Sequence, residues 1–125
     1  MTNEPKILDF SITKGCSRTW RFNFKRNGGS VDLTDWYVFF TAKSKLSDTD
    51  ENAAITIDVE THYAPLEGVT YVTLTMTNTD ITPGSYFYDI KWVDDGSPAK
   101  AGILMTGKVT INRGVTTRST PLESE

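Results

Sequence analysis

Apolar and polar residues alternate along most of the chain with a period of two. Between residues 17 and 25, Trp20, Phe22 and Phe24 alternate with polar or charged residues, and similar runs recur about every 8 to 12 residues between turn-forming positions. This period places successive side chains on opposite faces of a strand. No window shows the spacing of an amphipathic helix. The pattern therefore predicts an all-β chain with little or no helix.

The number of these runs favours a single antiparallel β-sandwich, immunoglobulin-like, with seven to eight strands. We expect this sandwich to span residues 6–113, between a flexible N-terminus at 1–5 and a tail at 114–125 that is flexible or docked on a partner. The apolar members of each run should meet between the two sheets. The predicted core is Trp20, Phe22, Phe24, Val38, Phe40, Ile57, Val72, Leu74, Tyr86, Tyr88, Ile90, Val109 and Ile111.

Two short motifs predict turns. Asn27 and Gly28 lie between two strand-like runs, and both residue types accept the positive φ angles of a two-residue hairpin turn. Pro83 and Gly84 match the second and third positions of a type II turn, because proline presets φ and glycine accepts a positive value.

Length and charge narrow the function classes. The chain has 125 residues, with 13 Lys plus Arg against 16 Asp plus Glu, which gives a net charge of −3. We expect one domain of ordinary size and no nucleic-acid partner, since phosphate binding requires a basic footprint. No stretch approaches the ~20 apolar residues that span a bilayer, and the first residues do not resemble a signal peptide. We therefore expect no membrane insertion, and we expect the chain to be synthesised in a cytoplasm.

The single cysteine and single histidine restrict the chemistry. Cys16 has no second cysteine with which to form an intramolecular disulfide, and with His62 alone beside it a zinc site would need carboxylate ligands. A nucleophilic Cys–His pair is conceivable, but the residues around Cys16 match no protease motif. We expect Cys16 to be a small, partly buried residue at a strand end and His62 to be a solvated loop residue. No catalytic residue, metal or cofactor is assigned.

Acidic residues cluster mainly in predicted turns. Asp48, Asp50 and Asn52 occupy the first, third and fifth positions of an EF-hand loop, but Ala53 and Val59 stand where that loop needs Gly and Glu. A solvated loop is therefore the favoured interpretation. Asp89 lies within a predicted strand, and we expect it to pair across the strands with a Lys or Arg on an outward face. Because carboxylates in turns stay ionised, an enzyme using paired acids is not expected.

Large aromatic residues fall on faces opposite the predicted core. The segment Trp36–Lys43 is apolar on both faces, as in a central strand covered on two sides, and one cover is expected to be another subunit. Exposed rings also stack on sugars, so a glycan site stays open as an alternative. The candidate interface residues are Trp36, Tyr37, Phe39, Tyr71 and Phe87.

The order of several motifs resembles the small β-sandwich domains of tailed-bacteriophage virion proteins. It is most similar to the amino-terminal domain of phage baseplate upper proteins, over about residues 7–113. The motifs, in chain order, are Ile12-Thr13-Lys14-Gly15, Asn27-Gly28-Gly29, Val31-Asp32-Leu33-Thr34, the run from Pro83 to Ile90, and Gly107-Lys108-Val109-Thr110-Ile111.

This resemblance implies a non-enzymatic structural component of a phage or prophage particle, in the tail, the baseplate or a fibre-attachment module. Its implied partners are other virion proteins and further copies of itself, and its implied location is the virion after synthesis in the cytoplasm of a host bacterium. The alternative is a carbohydrate-binding β-sandwich module that contacts a host-surface glycan. A coplanar row of exposed Trp or Tyr rings would favour that alternative.

Overall fold

The computed structural model describes residues 6–96, 99–118 and 120–122. Within these ranges the chain forms ten β-strands and two single-turn 3₁₀ helices, with no α-helix, which confirms the all-β prediction. The predicted flexible N-terminus at 1–5 lies outside the described residues, as does part of the predicted tail. The strands are β1 (Lys6–Ile7), β2 (Phe10–Thr13), β3 (Arg18–Asn23), β4 (Lys25–Arg26), β5 (Gly29–Ser30), β6 (Trp36–Lys43), β7 (Ile55–Val59), β8 (Val69–Leu74), β9 (Gly84–Asp94) and β10 (Lys100–Asn112), and the 3₁₀ helices are Asp50–Asn52 and Pro65–Glu67.

Six strands form one large sheet in the order β1-β10-β9-β6-β7, and β2 follows β1 along the same edge of β10. Strands β3 and β8 form a second, two-stranded sheet, and β4 and β5 form a hairpin. The prediction of a wholly antiparallel arrangement is wrong at one edge, because β1 and β2 run parallel to β10. Alternation assigns each residue to a face of its strand but carries no information about the direction of the neighbouring strand.

The core lies between the large sheet and the β3–β8 pair. The ring of Trp20 on β3 stacks on Phe40 of β6 at 5.9 Å, and Phe40 stacks on Tyr88 of β9 at 5.5 Å. Phe10 closes this group edge-on against both Trp20 and Tyr88. Every predicted core residue is buried here or packs against the buried cluster, with Trp20, Phe22 and Ile57 only partly buried. The alternation therefore identified the inner faces of both sheets.

The two predicted turns differ in outcome. Asn27 and Gly28 have φ angles of 51° and 80° and form the two-residue turn that joins β4 to β5. Gly84 has a φ of 151° and starts β9, so the type II turn predicted with Pro83 is wrong, because its third position requires a φ near 80°. The corner is held instead by the Tyr86 hydroxyl, which donates a hydrogen bond to the carbonyl oxygen of Thr82 at 2.5 Å.

His62 and Cys16 lie in environments opposite to those predicted. His62 is only 7% exposed, with Nδ1 2.7 Å from the Thr70 hydroxyl and Nε2 2.7 Å from the Trp36 carbonyl oxygen. Its ring thus joins β6 of the large sheet to β8 of the second sheet. Cys16 is exposed in the turn between β2 and β3. A single polar residue within a loop gives no periodic signal, so neither placement was accessible to pattern reasoning.

Candidate interaction face

The outer face of the large sheet carries a concave surface. It encloses a groove of about 860 Å³, lined mainly by outward residues of β6, β7, β9 and β10. Strand β6 shows how the face arises, because its inward residues are all buried and its outward residues are all half-buried. We call this surface the groove face and define it by Phe39, Thr41, Lys43, Thr56, Asp58, Phe87, Asp89, Lys91, Thr106 and Lys108.

Strand register arranges these side chains in rows across the sheet. Asp89 lies at the centre of one row, between Thr106 on β10 and Thr41 on β6. The row on one side contains Phe87 between Lys108 and Lys43, and the row on the other contains Lys91, Phe39 and Asp58. Each phenyl ring is thus flanked by charged residues, and the centre of the face is a carboxyl group among hydroxyl groups.

Burial dominates the electrostatics of Asp89. It raises the pKa of the Asp89 carboxyl above its ordinary value of 3.8, with Asp50 acting in the same direction and Lys91 and Lys43 acting against it. Asp89 faces outward as predicted. The prediction that it pairs directly across the strands with a Lys or Arg is wrong, because its neighbours in register are Thr41 and Thr106. At the rim, Lys43 forms an ion pair of 2.9 Å with Asp50 and lowers the pKa of that carboxyl.

The aromatic residues of the face are held by local contacts. Phe39 stacks on Tyr37, the preceding outward residue of β6, with ring centroids 6.1 Å apart. Lys108 places its Nζ 5.6 Å from the centroid of the Phe87 ring, which is a cation–π distance. Both phenyl rings are half-buried before any partner is added. The groove face therefore offers apolar area at its centre and charge at its edges.

The five residues predicted as an interface divide among three locations. Tyr37, Phe39 and Phe87 lie on the outer face of the large sheet. Tyr71 is on β8 in the other sheet, where its ring meets Tyr63 edge-on at 5.3 Å. Trp36 is wrong as a surface residue, because it is only 5% exposed and stacks on Trp92 at 4.9 Å within the core.

Sequence reasoning missed the lysines of the groove face. Lys91 and Lys108 share the outward parity of Phe87 and Asp89 along β9 and β10, and Lys43 shares that of Phe39 along β6. The alternation along each strand therefore indicated that these lysines face outward. It did not indicate the strand order, which brings the three lysines together on one surface.

Two alternative chemistries receive little support from the geometry. Asp48 accepts hydrogen bonds from the Ser44 hydroxyl and the Lys45 amide, while Asp50 is paired with Lys43, so the carboxylates of the EF-hand-like segment are engaged separately. Among the described residues, no group of three or more His, Cys, Asp or Glu side chains lies together as a metal site would require. Both ring nitrogens of His62 are hydrogen-bonded, which leaves neither free to activate a thiol.

Comparison with protein-family models gave no match, and comparison with curated proteins gave none. Across the part of the chain that the structure describes, no helix is long and apolar enough to cross a membrane. The geometry of the groove face and the motif order of the sequence are therefore the grounds for a functional proposal.

Proposed function

We propose that the chain is a non-enzymatic structural component of a phage or prophage particle, in the tail, baseplate or fibre attachment, and that its groove face binds another protein of that particle. The observation that carries the proposal is the pairing of half-buried phenyl rings with exposed lysines on one concave sheet face. The motif order of the sequence supplies the class of particle.

The finer description of the fold belongs to the same proposal. An immunoglobulin-like sandwich has two facing sheets, and a tyrosine near the start of its penultimate strand bonds back to the main chain a few residues upstream. Tyr86 makes such a bond to Thr82 at the start of β9. The order β10-β9-β6-β7 opposite the β3–β8 pair also suits this arrangement. Folds of this kind present both outer faces and open strand edges to partners.

The chemistry of the groove face favours a protein partner with carboxylates at its contact rim. Protein interfaces combine an apolar centre, often aromatic, with a polar rim. Phe39 and Phe87 supply the centre, and Lys91 and Lys108 lie exposed beside them. The two ion pairs among the described residues leave both of these lysines out. Acidic groups of a partner would satisfy both lysines while its apolar residues cover the rings.

A glycan partner lacks the geometry that would favour it. All three tryptophans pack against core clusters of the described residues, so none contributes to an exposed row. The exposed pair Tyr63 and Tyr71 meets at an interplanar angle of 77°, which gives no flat platform for a sugar ring. Among the aromatic pairs that lie outside the core of the described residues, only Tyr37 and Phe39 approach coplanarity, and both are half-buried.

Particle incorporation tests the proposal. Particles purified from the organism that encodes the chain should contain it in a fixed copy number, and deletion of its gene should yield incomplete particles. The double variant Lys91→Glu with Lys108→Glu should lose incorporation, because it repels the partner's carboxylates. The control Lys100→Glu with Arg113→Glu changes the net charge equally at exposed positions outside the groove and should be incorporated normally. Intact particles without the chain, or equal incorporation of both variants, would contradict the proposal.

A further inference from the structure

Charge is segregated along the chain. Residues 10–31 contain five basic residues and no acidic one, namely Lys14, Arg18, Arg21, Lys25 and Arg26. Residues 46–90 contain eight acidic residues and neither Lys nor Arg. The net charge is only −3, so the positive and negative charges nearly cancel over the whole chain, yet they occupy different segments of it.

The topology places one strand of each stretch, β3 of the basic one and β7 of the acidic one, at opposite edges of the molecule, whereas β8 of the acidic stretch pairs with β3. The basic stretch forms β2 to β5, and Phe10 on β2 contacts Trp20 on β3 at 5.2 Å, so β3 lies under the β2 edge of the large sheet. The acidic stretch contains β7, which is the opposite edge strand. Strand β3 pairs only with β8 and strand β7 only with β6, within the ranges that the structure describes. Each of these edges thus presents unpaired main-chain groups beside its charges.

Among the residues that the structure describes, the charges at these edges lack ion-pair partners. Arg21 on β3 and Lys25 on β4, the strand that directly follows it, are exposed on the basic side, and Asp58 and Glu60 are exposed at the acidic edge. The ion pairs that form among the described residues are Lys14–Asp80 and Lys43–Asp50, and neither includes these four side chains. Arg18 adds a further fixed positive charge, because its guanidinium lies 5.0 Å from the centroids of the Phe10 and Trp20 rings.

From this arrangement we infer that copies of the chain associate head to tail, with the acidic β7 edge of one copy docked on the basic β3 edge of the next. Open strand edges of opposite charge attract each other and offer main-chain hydrogen bonds. Because the two docking surfaces differ, the contact is heterologous, and it repeats into a ring or an open filament. This inference goes beyond the proposed function, since it assigns a second occupant, another copy of this chain, and a second surface that shares Asp58 with the groove face.

Salt dependence is the first test. Light scattering after size-exclusion chromatography of the full chain should give a mass above that of the monomer at about 0.05 M NaCl. The apparent dissociation constant should rise about tenfold or more at about 0.5 M NaCl, because exposed charges are screened. A monomer at every concentration and salt level would overturn the inference, as would association that salt leaves unchanged.

Charge reversal distinguishes a head-to-tail contact from a symmetric one. The variants Asp58→Lys with Glu60→Lys and Arg21→Glu with Lys25→Glu should each be monomeric at low salt, since each then carries like charges on both edges. An equimolar mixture should associate again, because every edge meets one of opposite sign. Restored association also shows that neither variant is misfolded. Loss of association in the acidic-edge variant alone would show that the basic edge takes no part in the contact and would overturn the inference.

Two further outcomes keep the surfaces and partners apart. Lys91→Glu with Lys108→Glu, which disables the groove face, should self-associate like the wild type, so failure of the proposed function leaves this result unaffected. A different result would assign the basic edge to nucleic acid and overturn the inference. In that case the wild-type chain never self-associates but binds duplex DNA, and the variant Arg21→Glu with Lys25→Glu loses that binding.

Discussion

The two faces of strand β6 are both rich in large side chains, yet they have different fates. Its inward residues are buried, Val38 and Phe40 completely, while its outward residues, Phe39 and Lys43 among them, are half-buried. The inward rings meet a second sheet that the chain itself supplies. Among the described residues, the outward rings of Tyr37 and Phe39 stack on each other within the same sheet. The inward side chains of β6 therefore form part of the folding core, and its outward side chains are available to contact a partner.

The sharpest way to break this comparison is to truncate adjacent phenylalanines. Phe40→Ala removes a fully buried ring that stacks on Trp20 and Tyr88, and it should lower the free energy of unfolding by about 3 to 5 kcal/mol. Phe39→Ala removes a half-buried outward ring and should cost about 1 kcal/mol or less. Urea unfolding of both variants measures the difference. Similar losses would mean that the outer face also belongs to the folding core.

Substitution of a buried polar residue, His62, can be compared with substitution of an exposed one, Cys16. His62→Ala should cost about 2 kcal/mol, because it leaves the Trp36 carbonyl and the Thr70 hydroxyl without their partner in a buried site. Cys16→Ser at an exposed position should change stability by about 0.5 kcal/mol or less. Thermal and urea unfolding would detect both effects. A His62→Ala variant as stable as the wild type would show that water replaces the ring at no cost.

The smallest expected effect lies at the centre of the groove face. Because burial raises the folded-state pKa of Asp89, ionisation of this carboxyl disfavours the folded state. Relative to the wild type, Asp89→Asn should therefore gain stability as the pH rises from below 3.8 through the raised pKa, and keep that gain at neutral pH. Partial exposure to solvent keeps the gain below about 1 kcal/mol. Urea unfolding across this pH range tests the sign, and a variant less stable than the wild type at neutral pH would reverse it.

Local pattern predicted much of the fold and part of the site. The parity of Phe22, Phe40 and Ile90 was enough to place them inside, because burial on one side of a strand requires alternation. The same parity placed Phe39 and Phe87 outside. The face that a residue occupies is a property of a single strand, and the sequence of that strand is enough to predict it.

Properties shared between strands could not be predicted in this way. Trp36 has the inward parity of Val38, yet a position at a strand end does not reveal that Trp92 and Phe24 cover it. The loop position of His62 suggested solvent, and only the approach of β6 and β8 makes it a buried link. The assembly of the groove face likewise depends on which strands are neighbours. Such neighbour relations are set by packing of the whole chain.

The parallel contact of β2 with β10 has a consequence for how a nascent chain acquires this structure. Register partners at this contact stand 99 positions apart, as Phe10 and Val109 do. While a ribosome is still synthesising the middle of the chain, β2 has no strand to lie against, and β9 lacks its neighbour on one side. Contacts this distant in sequence slow folding. Completion of the large sheet must therefore follow translation of β10, and until then the edge of β9 that β10 covers stays unpaired.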